Sequence, residues 1–275
     1  SPLRLNLWRA PLANELDNWN ASSARSSNWK EGYEYTVATE MYSAGIDRLT
    51  HQPLSFSVSE TTEGVHIHII DAELMGKGEK EKKDLYIEGV QNNGIINHYE
   101  YIINSEGTIE IRHVLKPEGK MPLWFPRIGL TLTVSDALDQ VKWYGRGPQE
   151  NYPDRKTGYP TGIYASTVQA MYEPYLMPQD YGLRTDVRWL QLTTDKGIGL
   201  QFKMNEWFNF NIYPYSTDNL TKAMYTYQLQ KQKGMTLNLD YATTGVGCTA
   251  RGVFGAYKAM PQEYRRTISI RPMMK

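Results

Sequence analysis

Cysteine, a charge imbalance and long apolar runs are all missing from this sequence, and each absence excludes a class of protein. Cys248 is the only cysteine, which rules out an intrachain disulfide and a cysteine-based metal cluster but does not settle the compartment. The chain has 30 Lys and Arg against 30 Asp and Glu, so it lacks the basic excess that a nucleic-acid partner requires. No stretch approaches the length of about 18 apolar residues that would predict a membrane helix. The amino terminus, Ser1-Pro2-Leu3-Arg4, does not resemble a signal peptide and is interpreted as a cut inside a longer chain.

Familiar catalytic motifs are missing as well. The histidines show no HExxH or Cys/His spacing, so no metal ligand is assigned. They are His51, His66, His68, His98 and His113. His66 and His68 are two residues apart in a predicted strand and could bind one metal ion, although a plain exposed strand face is the favoured interpretation. There is no Gly-x-Ser-x-Gly elbow and no phosphate loop, and Gly145-Arg146-Gly147 lacks the third glycine of a dinucleotide site. No pair of carboxylates stands out, so no catalytic residue is assigned.

Alternation of apolar and polar residues is the main signal that is present. In the run 64–70, His66 and His68 face one way while Val65 and Ile67 face the other, as expected for a β-strand. Further strands are predicted at residues 95–103, 108–115, 130–134, 201–210, 235–239 and 267–270. Short strands separated by turn residues predict an all-β sandwich or barrel, which we assign to one domain, residues 1–275.

Helical signal is weak, and one segment is strongly charged. The best helix candidate is Ser216–Ala223, with Ser216 or Thr217 as its N-cap. The mixed-charge segment Lys77–Asp84 is interpreted as a solvated hairpin or loop.

The most specific stretch of the sequence runs from Trp143 to Arg155. It reads Trp-Tyr-Gly-Arg-Gly-Pro-Gln-Glu-Asn-Tyr-Pro-Asp-Arg, which predicts a strand end followed by a tight Gly-x-Gly-Pro turn and an extended loop. Glu150, Asp154 and Arg155 could lock this loop through charge-assisted hydrogen bonds.

This stretch resembles the signature of the C-terminal "small chain" domain of family-2 β-galactosidases. Other matching segments follow in the family's order along essentially the whole chain. They are Trp8-Arg9-Ala10-Pro11, Pro126-Arg127-Ile128-Gly129, Tyr172-Glu173-Pro174-Tyr175, Pro178-Gln179, Gly182-Leu183-Arg184, and Asp240 with Gly245-Val246-Gly247. The resemblance implies a supersandwich of two large antiparallel sheets, similar to galactose-mutarotase-like folds.

The resemblance also implies a division of labour within a longer parent enzyme. In the family, the two catalytic glutamates lie on a separate (β/α)8 barrel upstream, and the small-chain domain packs beside that barrel and helps to shape the sugar pocket. The parent would be a retaining β-galactosidase, its partners would be β-galactoside sugars and its own barrel, and the isolated domain would be inactive. The family's magnesium and sodium ions are bound elsewhere, so no cofactor is expected in this domain. The sequence leaves open whether the parent enzyme forms a homo-oligomer.

Two departures from the family pattern fall at the expected edge of the sugar pocket. Family members usually continue Arg-Ala-Pro-x with Asp-Asn-Asp, whereas this chain has Ala13-Asn14-Glu15. Several members carry a tryptophan after the late Gly-x-Gly, where this chain has Arg251 or Gly252. By resemblance, the substrate-binding residues are therefore Asn14, Glu15, Arg251 and Gly252.

Two other functions stay open at this point. A freestanding carbohydrate-binding module could share the sandwich, and a mutarotase-like epimerase would need a carboxylate near His113 or His98. For the β-galactosidase interpretation, we expect segments 9–20 and 244–252 to lie close together although more than 220 residues separate them.

Overall fold

Antiparallel strands account for most of the regular structure in the computed structural model, which describes residues 2–16, 37–76, 93–247 and 252–274. In those ranges the strands are β1 (Arg4–Asn6), β2 (Thr50–Thr61), β3 (Gly64–Leu74), β4 (Gly94–Ile103), β5 (Ile109–Glu118), β6 (Arg127–Val134), β7 (Gln140–Arg146), β8 (Thr161–Thr167), β9 (Arg184–Thr193), β10 (Gly199–Tyr213), β11 (Met235–Thr243) and β12 (Tyr264–Met273). Short helices accompany them: α1 (Ala13–Leu16), α2 (Val37–Ala44) and α3 (Thr217–Lys222). None of the helices in the described ranges has the length and apolar character to span a bilayer. The predicted all-β fold class is confirmed.

Every strand that the alternating pattern predicted coincides with an observed strand. The predicted helix is also present as α3, and the Ser216 hydroxyl accepts a hydrogen bond from the Asn219 N–H at 3.0 Å. Ser216, and not Thr217, is therefore the N-cap. The charged segment Lys77–Asp84 lies outside the described residues.

The strands form one hydrogen-bonded network that divides at β10. The path runs β1-β6-β11-β10-β12-β5-β4-β3-β2, and β9, β7 and β8 continue from the other side of β10. The first part of β10, Gly199–Met204, pairs with β12, whereas Asn209–Tyr213 pairs with β11. The register against β9 shifts between Lys203 and Phe208, and an irregularity of this kind bends a strand and increases its twist. The strands on either side of the shift can therefore diverge into separate layers.

Two apolar cores lie between these groups of strands. In the first, Leu130 of β6 belongs to one buried cluster with Ile111 of β5 and Ile268 of β12. In the second, Trp143 of β7 is clustered with Leu237 of β11. The cores join strands that are distant along the sheet path, so the antiparallel sheet curls onto itself and the predicted sandwich architecture is confirmed. The assignment of residues 1–275 to a single domain stays a prediction.

Candidate functional site

The signature loop leaves the end of β7 and is fastened to the late Gly-x-Gly turn by Asp154. The Asp154 carboxylate accepts hydrogen bonds from the N–H groups of Val246 at 3.0 Å and Gly247 at 2.7 Å. Gly245 leaves the space for this contact, because a Cβ at that position would lie 2.3 Å from the Asp154 carboxyl carbon. The signature loop and the Gly-x-Gly turn, some ninety residues apart in the sequence, are thus hydrogen-bonded directly to each other.

Glu150 organises the same loop from inside. Its buried Oε1 accepts hydrogen bonds from Arg155 Nη2 at 3.0 Å and from the Tyr175 hydroxyl, and its Oε2 accepts one from the Gly182 N–H at 2.9 Å. Burial and the hydrogen bond to Glu150 raise the pKa of Tyr175 above its ordinary value, so the phenol keeps its proton as a donor. The hypothesis that Glu150, Asp154 and Arg155 lock the loop is confirmed.

Arg9 connects the N-terminal segment to the same turn. Its buried guanidinium donates to the carbonyl oxygens of Thr244 at 2.7 Å and Gly245 at 2.9 Å, and to Glu15 Oε1 at 2.7 Å. The second Glu15 oxygen accepts the Leu12 N–H at 2.9 Å. Burial by itself would lower the pKa of Arg9, but the charge of Glu15 raises it above its ordinary value, so the guanidinium stays charged. Both oxygens of Glu15 are therefore used inside the domain.

Two of the four predicted substrate-binding residues, Asn14 and Glu15, lie at this junction, which we define as the contacts among residues 9–16, 145–155 and 244–247. Asn14 is half-buried and donates to the Val246 carbonyl oxygen at 3.1 Å, so the predicted proximity of the two distant segments is confirmed for their described parts, residues 9–16 and 244–247. Glu15 is buried against Arg9. Gly252 is exposed, with open space where a side chain would begin. Arg251 lies outside the described residues. Contact of any of these residues with a sugar stays a prediction.

Close to the junction, one arginine lies between two aspartates, an arrangement that the sequence interpretation missed. Arg127 Nη2 lies 3.2 Å from Asp180 Oδ2 and 3.4 Å from Asp240 Oδ2, with all three side chains closed to solvent. Asn211 also donates to Asp180, at 3.1 Å. Burial, together with the nearby charge of Asp180, raises the pKa of Asp240 to about 7 although Arg127 opposes the shift. These carboxylates cannot reach a substrate, and they hold the strands together.

His113, one of the two histidines proposed for a mutarotase-like activity, is enclosed in the first core. His113 Nδ1 lies 2.7 Å from the Tyr241 hydroxyl oxygen and Nε2 lies 3.1 Å from Asn97 Oδ1. The ring stacks on Tyr99 with centroids 4.2 Å apart. Burial lowers the pKa of His113 to about 3. A buried neutral ring with both nitrogens engaged is poorly suited to exchange protons with a sugar.

Comparison with known proteins identifies the family. A family model described as "Beta galactosidase small chain" matches residues 1–270. The chain belongs to the β-galactosidase small-chain family.

The small-chain domain is similar to segments of much longer enzymes. It is 31% identical to a β-galactosidase of Priestia megaterium (strain DSM 319 / IMG 1521) over 90% of this chain and 20% of that protein. It is 30% identical to a β-galactosidase of Vibrio cholerae over 90% of this chain and 21% of that protein. The chain thus spans about a fifth of the length of these relatives.

A solved GalM/aldose epimerase homologue from C. elegans is similar in structure. The alignment covers 79% of the small-chain domain and 68% of the homologue, with 10% identity and a TM-score of 0.38. Values this low support no argument about activity. Three of the segments that carry the family resemblance meet at the junction, through Arg9, Asp154 and Gly245.

Proposed function

We propose that this chain is the C-terminal domain of a retaining β-galactosidase-like glycoside hydrolase that cleaves terminal β-galactosides. In this proposal it packs beside a catalytic (β/α)8 barrel of the same parent chain and carries no catalytic carboxylate. The small share of each relative that it matches, 20% in Priestia megaterium, supports a parent with further domains. The family match over residues 1–270 supports the reaction class.

A role at the sugar pocket is supported by the hydrogen bonds that hold the 244–247 turn in place. Arg9 and Asn14 bind its carbonyl oxygens, and Asp154 binds its N–H groups. Both kinds of backbone group are therefore satisfied, and the turn is fixed relative to the sheets. Binding residues are commonly found on loops that a rigid scaffold positions in this way.

In the proposed site, the four residues have three kinds of role. Asn14 lies against the turn, and Asn14 and Arg251 would each donate hydrogen bonds to sugar hydroxyls. Gly252 allows the sugar to approach closely because it has no side chain. Glu15 acts indirectly, by holding Arg9 against the turn.

The first test separates the activity of the domain from that of the parent. Pure 275-residue chain and the complete parent polypeptide are assayed with a chromogenic β-galactoside. We expect turnover only by the parent, because the buried acids near the junction are occupied by internal partners. Turnover by the pure chain above a buffer blank would contradict the proposal.

The second test addresses the pocket. Arg251→Ala in the parent should lower kcat/KM about tenfold, since a hydrogen bond to a charged group contributes about 1.5–3 kcal/mol. Arg265→Ala is the matched control, because Arg265 is exposed and pairs with Glu263 on the surface. Equal kcat/KM in the two variants would remove Arg251 from the sugar site.

A further inference from the structure

Two histidines and a glutamate form a group on β3 and β4, on the side of the sheet opposite to the first core. His66 and His68 are two residues apart on β3, and Glu100 of β4 is the register partner of His68. Opposed residues of antiparallel strands share a face, and so do alternate residues of one strand. The three side chains therefore converge, and their ligand atoms all lie within 4.8 Å of one another.

The surroundings of His66 leave its ring nitrogens without hydrogen bonds to other described residues. Its Nδ1 lies 3.7 Å from Glu100 Oε1, and its Nε2 lies 4.0 Å from Glu63 Oε2. Both distances are too long for hydrogen bonds, and Nε2 is buried without a partner. Leaving a buried polar atom unpaired is unfavourable. Two ligand atoms of one tetrahedral zinc, with bonds of about 2.0–2.1 Å, lie about 3.4 Å apart. Small side-chain rotations would therefore let His66 and Glu100 bind the same ion.

Neighbouring charges orient the glutamate and favour a cation. Arg112 Nη1 donates to Glu100 Oε2 at 3.1 Å, and Arg112 Nε donates to Glu110 Oε1 at 2.9 Å. The other oxygen of Glu100 is left on the side of His66. A ligating carboxylate that is itself hydrogen-bonded is the usual arrangement around protein metal sites. Glu100 and Glu110 both pair with Arg112, and Glu63 lies beside His66, so these contacts bring three carboxylates and one guanidinium to the group.

We propose that His66, His68 and Glu100 bind a divalent transition metal ion of the zinc class. Imidazole and carboxylate ligands suit zinc, nickel or copper, whereas calcium and magnesium prefer oxygen ligands alone. Three protein ligands leave a position for water. The ion would tie β3 to β4 on a face that is separate from the junction, so its effect is on stability. The sequence favoured a plain exposed face because the third ligand belongs to another strand.

Zinc titration of the 275-residue chain tests this proposal. We expect one equivalent to bind in isothermal titration calorimetry and the melting temperature to rise, since a ligand that binds only the folded state stabilises it. His66→Ala, His68→Ala and Glu100→Gln should each weaken zinc binding by at least about tenfold, the lower end of the loss seen even for groups that only orient ligands. His68 is exposed, so its replacement should leave the fold unchanged, as circular dichroism can verify.

Two histidine variants provide matched controls. His98→Ala removes a half-buried histidine from the same face of β4. His51→Ala alters a second group, with Asp71 and Glu73, that also has ligand atoms within 4.8 Å. There His51 already contacts Glu73 at 3.0 Å and Asn97 donates to Asp71 at 2.8 Å. Both controls should keep wild-type affinity. Unchanged zinc binding in His66→Ala and His68→Ala, or loss of binding in His51→Ala alone, would overturn the proposal.

Discussion

Replacing Asp154 by alanine should loosen the junction between the signature loop and the late Gly-x-Gly turn. The carboxylate accepts the N–H groups of Val246 and Gly247 at 3.0 and 2.7 Å. A hydrogen bond to a charged group contributes about 1.5–3 kcal/mol. Because Asp154 is half-buried, we take the lower part of that range and expect the variant to lose about 1.5–2 kcal/mol of unfolding free energy. For a chain of 275 residues, this is a decrease in melting temperature of roughly 3–8 °C.

Gly245→Ala tests the same contact from the side of the turn. In Gly245→Ala, the new Cβ would lie 2.3 to 2.5 Å from three Asp154 side-chain atoms, which are its nearest neighbours. The clash should cost about 1–3 kcal/mol. In the double variant those atoms are gone, so the two costs should not add, and the coupling energy should be about 1–3 kcal/mol.

Calorimetry and urea unfolding of the wild type, both single variants and the double variant measure this coupling. Asp136→Ala is the control, because Asp136 is an exposed acid in the turn after β6. Additive changes in unfolding free energy for the Asp154 and Gly245 substitutions would refute the contact between the loop and the turn. An Asp154→Ala variant that melts like Asp136→Ala would refute it as well.

Three further outcomes follow from the contacts and pKa shifts. Arg155→Ala should lose about 0.5–1 kcal/mol in urea unfolding, because its ion pair with Glu150 is partly exposed, and a variant that melts like wild type would contradict the structural role. Burial raises the folded-state pKa of Asp240 to about 7, so its contribution to stability is full below about pH 4 and is lost as the pH rises toward 7. The stability advantage of wild type over Asp240→Asn should therefore shrink across that window, and a constant difference would argue against the shift. Burial lowers the folded-state pKa of His113 to about 3, so its contribution to stability is full above about pH 6.5 and is lost as the pH falls toward 3. The unfolding free energy of His113→Gln should therefore decrease less than that of wild type over this range. An identical pH profile for the two proteins would contradict the shift.

Local patterns were sufficient for several elements of this protein. Alternation over a few residues predicted β4, β5 and β12, because a strand with one buried face repeats its polarity every second residue. Ser216 predicted the start of α3, because capping depends only on residues within one turn. The ordered family segments predicted that the two distant ends meet, although only by resemblance.

Alternation failed where a strand is irregular. In β9, Val187, Leu190 and Leu192 are all buried, and the step of three between the first two breaks the period of two. Its register against β10 shifts at the same place. A bulge depends on the partner strand as well as on its own residues, so β9 was not predicted.

What only the tertiary structure decided is which side chains from distant strands share a site. The sequence by itself determined an all-β chain with a specific polar loop, since those properties depend on neighbouring residues. The pairing of Arg127 with Asp180 and Asp240, and of His66 with Glu100, depends on strand register. A slip of one residue would move each of these groups to the other face of its sheet. The register is set by burial of the cores over the whole domain, which no local stretch of sequence contains.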